Sequence, residues 1–240
     1  MISRATLIAI LMIGCRGKGE VVIEPPAAPA PAPVGDPPPA NTKIATVAHD
    51  TICVTKGSLD RGPVIGVREP TVRAVSRGSS GDAVSMRFVF RGDSDTTRRL
   101  ASGQLRRQLG LKLRAANSCN VVYVMWRLDP RPAIEVSVKS NPGMRLHKEC
   151  GAEGYTKLKP MTAAPMLEPG ARHTIAAEIV GDELVATIDG QLAWRGSLPT
   201  AAREIRGPAG FRSDNVAFDI EELSATPGGD EVSCHEEESD

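Results

Sequence analysis

The sequence predicts an all-β domain built as an antiparallel β-sandwich, and three observations carry that prediction. Apolar residues recur at every second position in several stretches, such as Val84, Met86, Phe88 and Phe90 against Ser85, Arg87 and Arg91. That is the pattern of a strand with one buried and one wet face. Asp189-Gly190 lies between two such stretches and supplies the positive φ of a tight hairpin turn. Gly-rich turns separate many short stretches of this kind while helical periodicity is scarce, which favours packed sheets over packed helices.

The chain begins with a different signal. Met1 to Arg4 is a short segment with one positive charge, followed by an apolar run from Ala5 to Gly14 broken only by Thr6. Ten residues are too few for a membrane-spanning helix, which needs about 20. The run ends Leu11-Met12-Ile13-Gly14-Cys15, which resembles the lipobox of bacterial lipoproteins, although Met12 stands where that family prefers Leu. The resemblance implies cleavage of a signal peptide at residues 1–14 and acylation of Cys15, which would anchor the chain to a membrane of the cell envelope. The other reading is an ordinary secretory signal with a cysteine nearby; either way the chain is exported. Residues 15–45 read as a tether. Eight of the fifteen positions from Pro25 to Pro39 are proline, which favours an extended polyproline spacer.

The domain is expected at residues 46–226. Beyond the first ladder, Leu109, Leu111 and Leu113 alternate with Gly110 and Lys112, and Ile134, Val136 and Val138 with Glu135, Ser137 and Lys139. His173, Ile175, Ala177 and Ile179 form another ladder. Leu184, Ala186 and Ile188 lead into Asp189-Gly190 and out through Leu192 and Trp194. Gly207-Pro208-Ala209-Gly210 reads as a sharp turn before a last strand with Val216, Phe218 and Ile220. Thr97 to Gln108 carries four arginines, with Gly103 inside it, and reads as a loop or short helix between strands.

The order from Ile175 to Leu223, namely strand, Asp-Gly hairpin, Gly-Pro-Ala-Gly-Phe turn and terminal strand, resembles the C-terminal third of concanavalin A-like lectin/glucanase domains. Laminin G-type modules and 3-keto-disaccharide hydrolase-like domains share it. The resemblance covers about fifty residues and implies a jelly-roll sandwich. Carbohydrate is the ligand class that fold often serves. Calcium is held by some laminin G-type relatives; the only candidates here are Asp214 and Asn215, without an acidic loop of the EF-hand kind.

Four further cysteines, Cys53, Cys119, Cys150 and Cys234, suggest disulfides in an exported domain and allow three pairings. Cys119–Cys150 is favoured, because strands at 121–128 and 133–140 would form a hairpin returning the chain beside its start. Cys53–Cys234 then remains, and the resembled sandwich lays its first and last strands side by side. A zinc site using His147 or His235 is disfavoured by the absence of close Cys or His pairs.

No catalytic residue is assigned. The glucanase pattern of alternating acids on one strand is missing. Asp219 and Glu221 do alternate, but a polar outer face on a last strand accounts for them. His147 and His173 have no nearby carboxylate or serine pattern, and there is no nucleophile elbow or phosphate-cradling loop. The most unusual segment, Cys119 to Tyr155, holds both tyrosines and one of the two tryptophans. With Val122, Val124, Trp126 and Leu128 facing the core, Tyr123, Met125 and Arg127 share the other face. An exposed Tyr123 with Arg127 suits stacking on a sugar ring and bonding to its hydroxyls, with Asn120, Lys139 and Asn141 near it. Ordinary sheet packing and a solvated charge explain the same residues.

Three functions fit this reading: a non-catalytic, membrane-anchored binding protein with carbohydrate as ligand, a glycoside-processing enzyme of the keto-disaccharide hydrolase type, or an envelope scaffold for a protein partner. The 29 Lys and Arg balance 29 Asp and Glu, which excludes a strongly basic nucleic-acid binder by bulk charge. The balance is nonetheless segregated. Asp82 to Cys150 holds thirteen basic residues against six acids, while Asp219 to Asp240 holds nine acids and neither Lys nor Arg. The end of the chain, 227–240, reads as an acidic tail.

Overall fold

The computed structural model describes residues 42–100 and 102–228. The signal segment, Cys15, most of the tether, Cys234 and the acidic tail beyond residue 228 lie outside the described residues.

In chain order the strands begin with β1 (Ala45–Thr46), β2 (Ile52–Lys56), β3 (Asp60–Arg61), β4 (Ile65–Val67), β5 (Thr71–Ser76), β6 (Ser79–Asp93), β7 (Gln108–Leu113) and β8 (Val121–Arg127). They continue as β9 (Ala133–Lys139), β10 (Tyr155–Lys157), β11 (Thr162–Ala163), β12 (Arg172–Val180), β13 (Glu183–Ile188), β14 (Gln191–Ser197), β15 (Gly210–Asp214) and β16 (Val216–Pro227). Two single-turn helices, α1 (His147–Cys150) and α2 (Thr200–Arg203), interrupt them. The first sheet runs β14-β13-β12-β6-β16-β4-β3, with β1 also on β16. The second runs β10-β9-β8-β7-β15-β5-β2, with β11 on β9. Every strand pair is antiparallel, so the domain is the expected β-sandwich.

The alternating ladders do what their period dictates. Met86, Phe88 and Phe90 of the first sheet meet Leu111, Val124 and Trp126 of the second in one continuous core. Phe88 sits edge-on to Trp126 across the sheets at 6.2 Å and to Phe218 at 5.7 Å, contacts worth about 0.5–1.5 kcal/mol each beyond burial. Asp189 and Gly190 have φ of 50° and 80° and Ile188 pairs with Gln191, as a two-residue hairpin requires.

A connector between the sheets uses both tryptophans. The indole Nε1–H of Trp126 donates to the Pro165 carbonyl at 3.1 Å, and that of Trp194 to the Pro160 carbonyl at 2.6 Å. The same connector contributes β11 to the second sheet, while the Thr162 hydroxyl donates to the Ala193 carbonyl of β14 in the first.

One stretch differs from expectation. Residues 207–210 do not simply turn into the last strand, because Gly210 opens β15. Arg212, Ser213 and Asp214 hide this strand from an apolar pattern: Ser213 takes the inward place, and the two charged residues point outward yet are buried. Of the two readings offered for Thr97 to Gln108, the loop is found: the described residues 97–100 and 102–107 have no helical turn, and Gly103 adopts a φ of 76°. The favoured disulfide is present: Cys119 and Cys150 are bridged with Cα atoms 5.9 Å apart. Antiparallel pairing of β8 with β9 brings the chain back as expected, and the bridge fastens α1 to the start of β8.

Candidate functional site

The outer face of the second sheet carries a cavity of about 380 Å³, within the range of about 300–1,000 Å³ typical of small-molecule sites, and β2, β5, β15, β7, β8, β9 and β10 all contribute to its lining. Strand alternation selects the floor. Because Leu109, Leu111, Val122, Val124 and Phe211 point inward, their neighbours Gln108, Tyr123, Met125, Arg212 and Asp214 must point outward. Register then sets Arg73 beside Arg212, Arg212 beside Gly110, Gly110 beside Met125, and Met125 beside Glu135. Gly110 leaves a place without a side chain in the middle of that row.

Arg212 is the centre of the floor. It is only 7% exposed, and its guanidinium donates to both oxygens of Asp214, at 2.9 and 3.3 Å. Its Cζ lies 5.2 Å from the Tyr123 ring centroid, a cation–π distance. Burial opposes the charge on Arg212, but Asp214 and the Tyr123 and Tyr155 side chains hold its pKa well above the ordinary arginine value. Burial likewise pushes the Asp214 pKa up, and Arg212, Arg73 and the Gln108 amide more than offset it, so Asp214 stays ionised. Gln108 donates to Asp214 through Nε2 at 2.6 Å.

The aromatic ladder continues toward the sheet edge. Tyr123 and Tyr155 stack at 6.2 Å, and the Lys139 Nζ lies 5.2 Å from the Tyr155 ring. Tyr155 is 40% exposed and gives the cavity an open aromatic surface. Glu135 gathers cations, accepting from Arg127 at 2.8 Å and Lys157 at 3.0 Å with Arg106 at 3.7 Å. Burial raises its pKa, and these cations bring it below the usual carboxylate value.

Two loops form the walls. The first supplies Arg98, Arg99, Leu100, Ser102 and Arg106, and the second, fastened by the disulfide, supplies His147 and Ala152. Asn215 positions the first loop from the turn between β15 and β16. Its Oδ1 accepts from the Arg98 backbone N–H at 2.6 Å, and its Nδ2 donates to the carbonyls of Arg98 and Arg106, each at 2.8 Å.

Of the residues singled out from sequence, Tyr123 lines the cavity, but it is buried rather than exposed because Arg212 and Tyr155 cover its ring. Arg127 borders the cavity only through Glu135. Asn120, Lys139 and Asn141 come together elsewhere, around the disulfide. Lys139 donates to the Ser118 and Gly151 carbonyls at 3.0 and 2.9 Å. Asn120 donates to the Met144 carbonyl at 2.9 Å and accepts from the Asn141 backbone N–H at 2.8 Å. These three hold the second wall. Sequence reasoning missed Arg73, Gln108, Arg212 and Tyr155 as lining residues. The buried strand Arg212-Ser213-Asp214 and the doubled arginines Arg98-Arg99 and Arg106-Arg107 were the available signals.

The remaining candidates have structural partners. Both Asp214 oxygens are taken by Arg212, and no group of three or more metal-binding side chains occurs among the described residues. Asp219 accepts from Arg68 and, at 2.7 Å, from Arg91; Glu221 accepts from Arg172 at 2.7 Å. Burial raises the Asp219 pKa but the two arginines bring it below its ordinary value, and the Arg172 hydrogen bond does the same for Glu221. His173 does have a carboxylate neighbour, since the hairpin returns Asp189 Oδ2 to 2.8 Å from its Nδ1.

No protein-family model and no curated protein matches the chain. Solved structures do. The carbohydrate-binding module CBM66 from Bacillus subtilis matches with a TM-score of 0.53 at 11% identity, covering 73% of this chain and 95% of that one. Domain 4 of AbnA, a GH43 extracellular arabinanase from Geobacillus stearothermophilus, matches at 0.42 with 12% identity over 77% and 84% of the two chains. A variant of the GH43 protein BlXynB from Bacillus licheniformis matches at 0.47 with 9% identity over 76% and 38%. The first of these likenesses establishes the fold as a sandwich of the concanavalin A-like lectin and carbohydrate-module type.

Proposed function

We propose that this chain is an exported, lipid-anchored protein of the bacterial cell envelope that binds carbohydrate in the cavity of its second sheet without transforming it. The observation that carries the reading is the cavity itself, with the open Tyr155 ring beside converging polar side chains. The negative face of an aromatic ring attracts the partly positive C–H face of a sugar, and polar groups around it fix the hydroxyls. The matching module from Bacillus subtilis is named for carbohydrate binding, which supports the same use of the fold here. The two carboxylates of the cavity, Glu135 and Asp214, are held ionised by basic neighbours, so neither is the raised-pKa proton donor that glycoside cleavage requires. The Gly14-Cys15 junction supports the anchor, and the Pro-rich segment supports a spacer between lipid and domain.

The deciding measurement is a glycan panel with the full-length protein. Binding to at least one glycan class at millimolar ligand or tighter is expected, together with labelling of Cys15 by palmitate and loss of membrane association in Cys15→Ser. Failure of every glycan to bind, with a protein recovered by crosslinking instead, would replace the carbohydrate reading with a scaffold.

A further inference from the structure

Resting on the carbohydrate reading, we infer that the cavity takes an acidic sugar, one whose ring carries an anionic group as well as hydroxyls. Seven lining residues are Lys or Arg and only two are carboxylates. Those two are satisfied within the protein, Asp214 by Arg212 and Gln108 and Glu135 by Arg127 and Lys157. The cavity therefore presents a positive potential toward its mouth, and low-dielectric walls concentrate it.

The first wall sharpens this. Arg98 and Arg99 are exposed, and no carboxylate among the described residues pairs with either guanidinium. Their backbone is nonetheless held in place by the Asn215 amide at Arg98. Among the described residues Arg99 donates only to the Gly103 carbonyl, at 3.0 Å. Guanidinium forks carried on an anchored backbone suit a carboxylate or sulfate, whose oxygens accept paired hydrogen bonds.

A second, independent observation separates a sugar from a bare anion. Gln108 lines the cavity and its Oε1 is buried with no hydrogen-bond partner. The Asp214 oxygen opposite the amide can only accept, so the amide nitrogen must face it, and Oε1 is fixed as an acceptor. A buried acceptor left without a donor is costly. An anion without a proton cannot satisfy it, whereas a sugar hydroxyl can. One ligand that serves both the arginines and Gln108 carries negative charge and an O–H donor together.

The test is calorimetric titration of the full-length protein in detergent with an oligogalacturonate, its methyl ester, a sulfated oligosaccharide and a neutral galactose oligomer. Binding of the uronate or the sulfated glycan is expected, and which of the two binds identifies the anionic group. Removing the charge, by esterification or in Arg98→Ala/Arg99→Ala, should weaken binding by about tenfold or more. The double variant should leave the melting temperature unchanged, because both side chains are exposed. Raising the salt should weaken the acidic glycan and spare any neutral one. Equal affinity for acid and ester, or an acid affinity indifferent to the arginine pair, overturns the inference while leaving carbohydrate binding intact. Binding of none of the four overturns the acidic-sugar inference, and the carbohydrate reading falls with it only if the whole glycan panel also fails.

Discussion

Asn215 grips the peptide of Arg98 from both sides, accepting from its N–H at 2.6 Å and donating to its carbonyl at 2.8 Å. The residues are 117 positions apart. Asn215 reaches across because it sits at a φ of 56° in the turn joining β15 to β16, a backbone state that Asn tolerates better than most residues. The described residues of the loop that carries Arg98 and Arg99 form neither helix nor strand, so this amide does for it what a paired strand would do.

Replacing Asn215 by Gly keeps the positive φ and deletes the amide. Stability should fall by roughly 1–3 kcal/mol, and the amides of residues 98–106 should exchange hydrogen faster while those of β15 and β16 stay protected. Uniform acceleration across the sheet would mean that the contact braces the whole fold and not the wall.

The Arg212–Asp214 pair gives a second prediction. Asp214→Asn leaves a buried guanidinium without its counter-charge and should cost about 3–5 kcal/mol, measured as a drop in the denaturant midpoint. Arg212→Met/Asp214→Leu removes both charges and should cost less than the single change. A larger loss in the double variant would count against the buried-charge account.

The pH dependence follows from the same carboxylates. Asp214 and Glu135 have folded-state pKa values below their ordinary 3.8 and 4.5. Such groups contribute stability at pH above the unfolded value, and that contribution is lost as pH falls through the lowered folded value. Melting temperature should therefore be level from neutrality down to about pH 5 and decline below about pH 4. Glu135→Gln should make that decline shallower. An unchanged acid limb would show that other carboxylates control it.

Reduction should act locally before it acts globally. The Cys119–Cys150 bridge closes a loop with a sequence separation of 31, worth roughly 3–4 kcal/mol in the chain-entropy model. Cys119→Ala/Cys150→Ala should lower stability by that order and loosen the wall that bears His147, Ala152 and Tyr155. Glycan affinity in the variant should drop more than in Gly103→Ala, which lies on the other wall.

Gly110 offers a check on the floor. A Cβ there would lie 2.1 Å from the Val124 carbonyl oxygen and 2.8 Å from the Met125 Cα, so the backbones of β7 and β8 must part to admit it. Gly110→Ala should cost about 1–3 kcal/mol, seen as a lower melting temperature. A neutral outcome would mean that the strands spread without loss.

The fold was legible in the sequence because alternation is a local property, and each ladder from Val84 to Ile179 reports its own burial. The hairpin at Asp189-Gly190 was legible for the same reason. The site was not, since its floor draws one or two outward residues from each of seven strands whose neighbours in space are distant in sequence. Gln108 and Arg212 meet through Asp214 only because β7 and β15 pair. Outward charge also read as solvated charge. Lys112, Lys139, Arg212 and Asp214 are instead buried, Lys139 on the Ser118 and Gly151 carbonyls and Arg212 against Asp214.

The connector that receives both indole N–H groups also bears on how many such molecules can sit side by side. An uncovered outer strand templates another chain through its free peptide groups. Here the Thr162 hydroxyl occupies the Ala193 carbonyl on β14, and Pro160 and Pro165, which have no N–H, present only acceptors already taken by Trp194 and Trp126. If the chain is anchored as proposed above, molecules held side by side on a membrane would meet a flank closed to strand pairing at this point of β14.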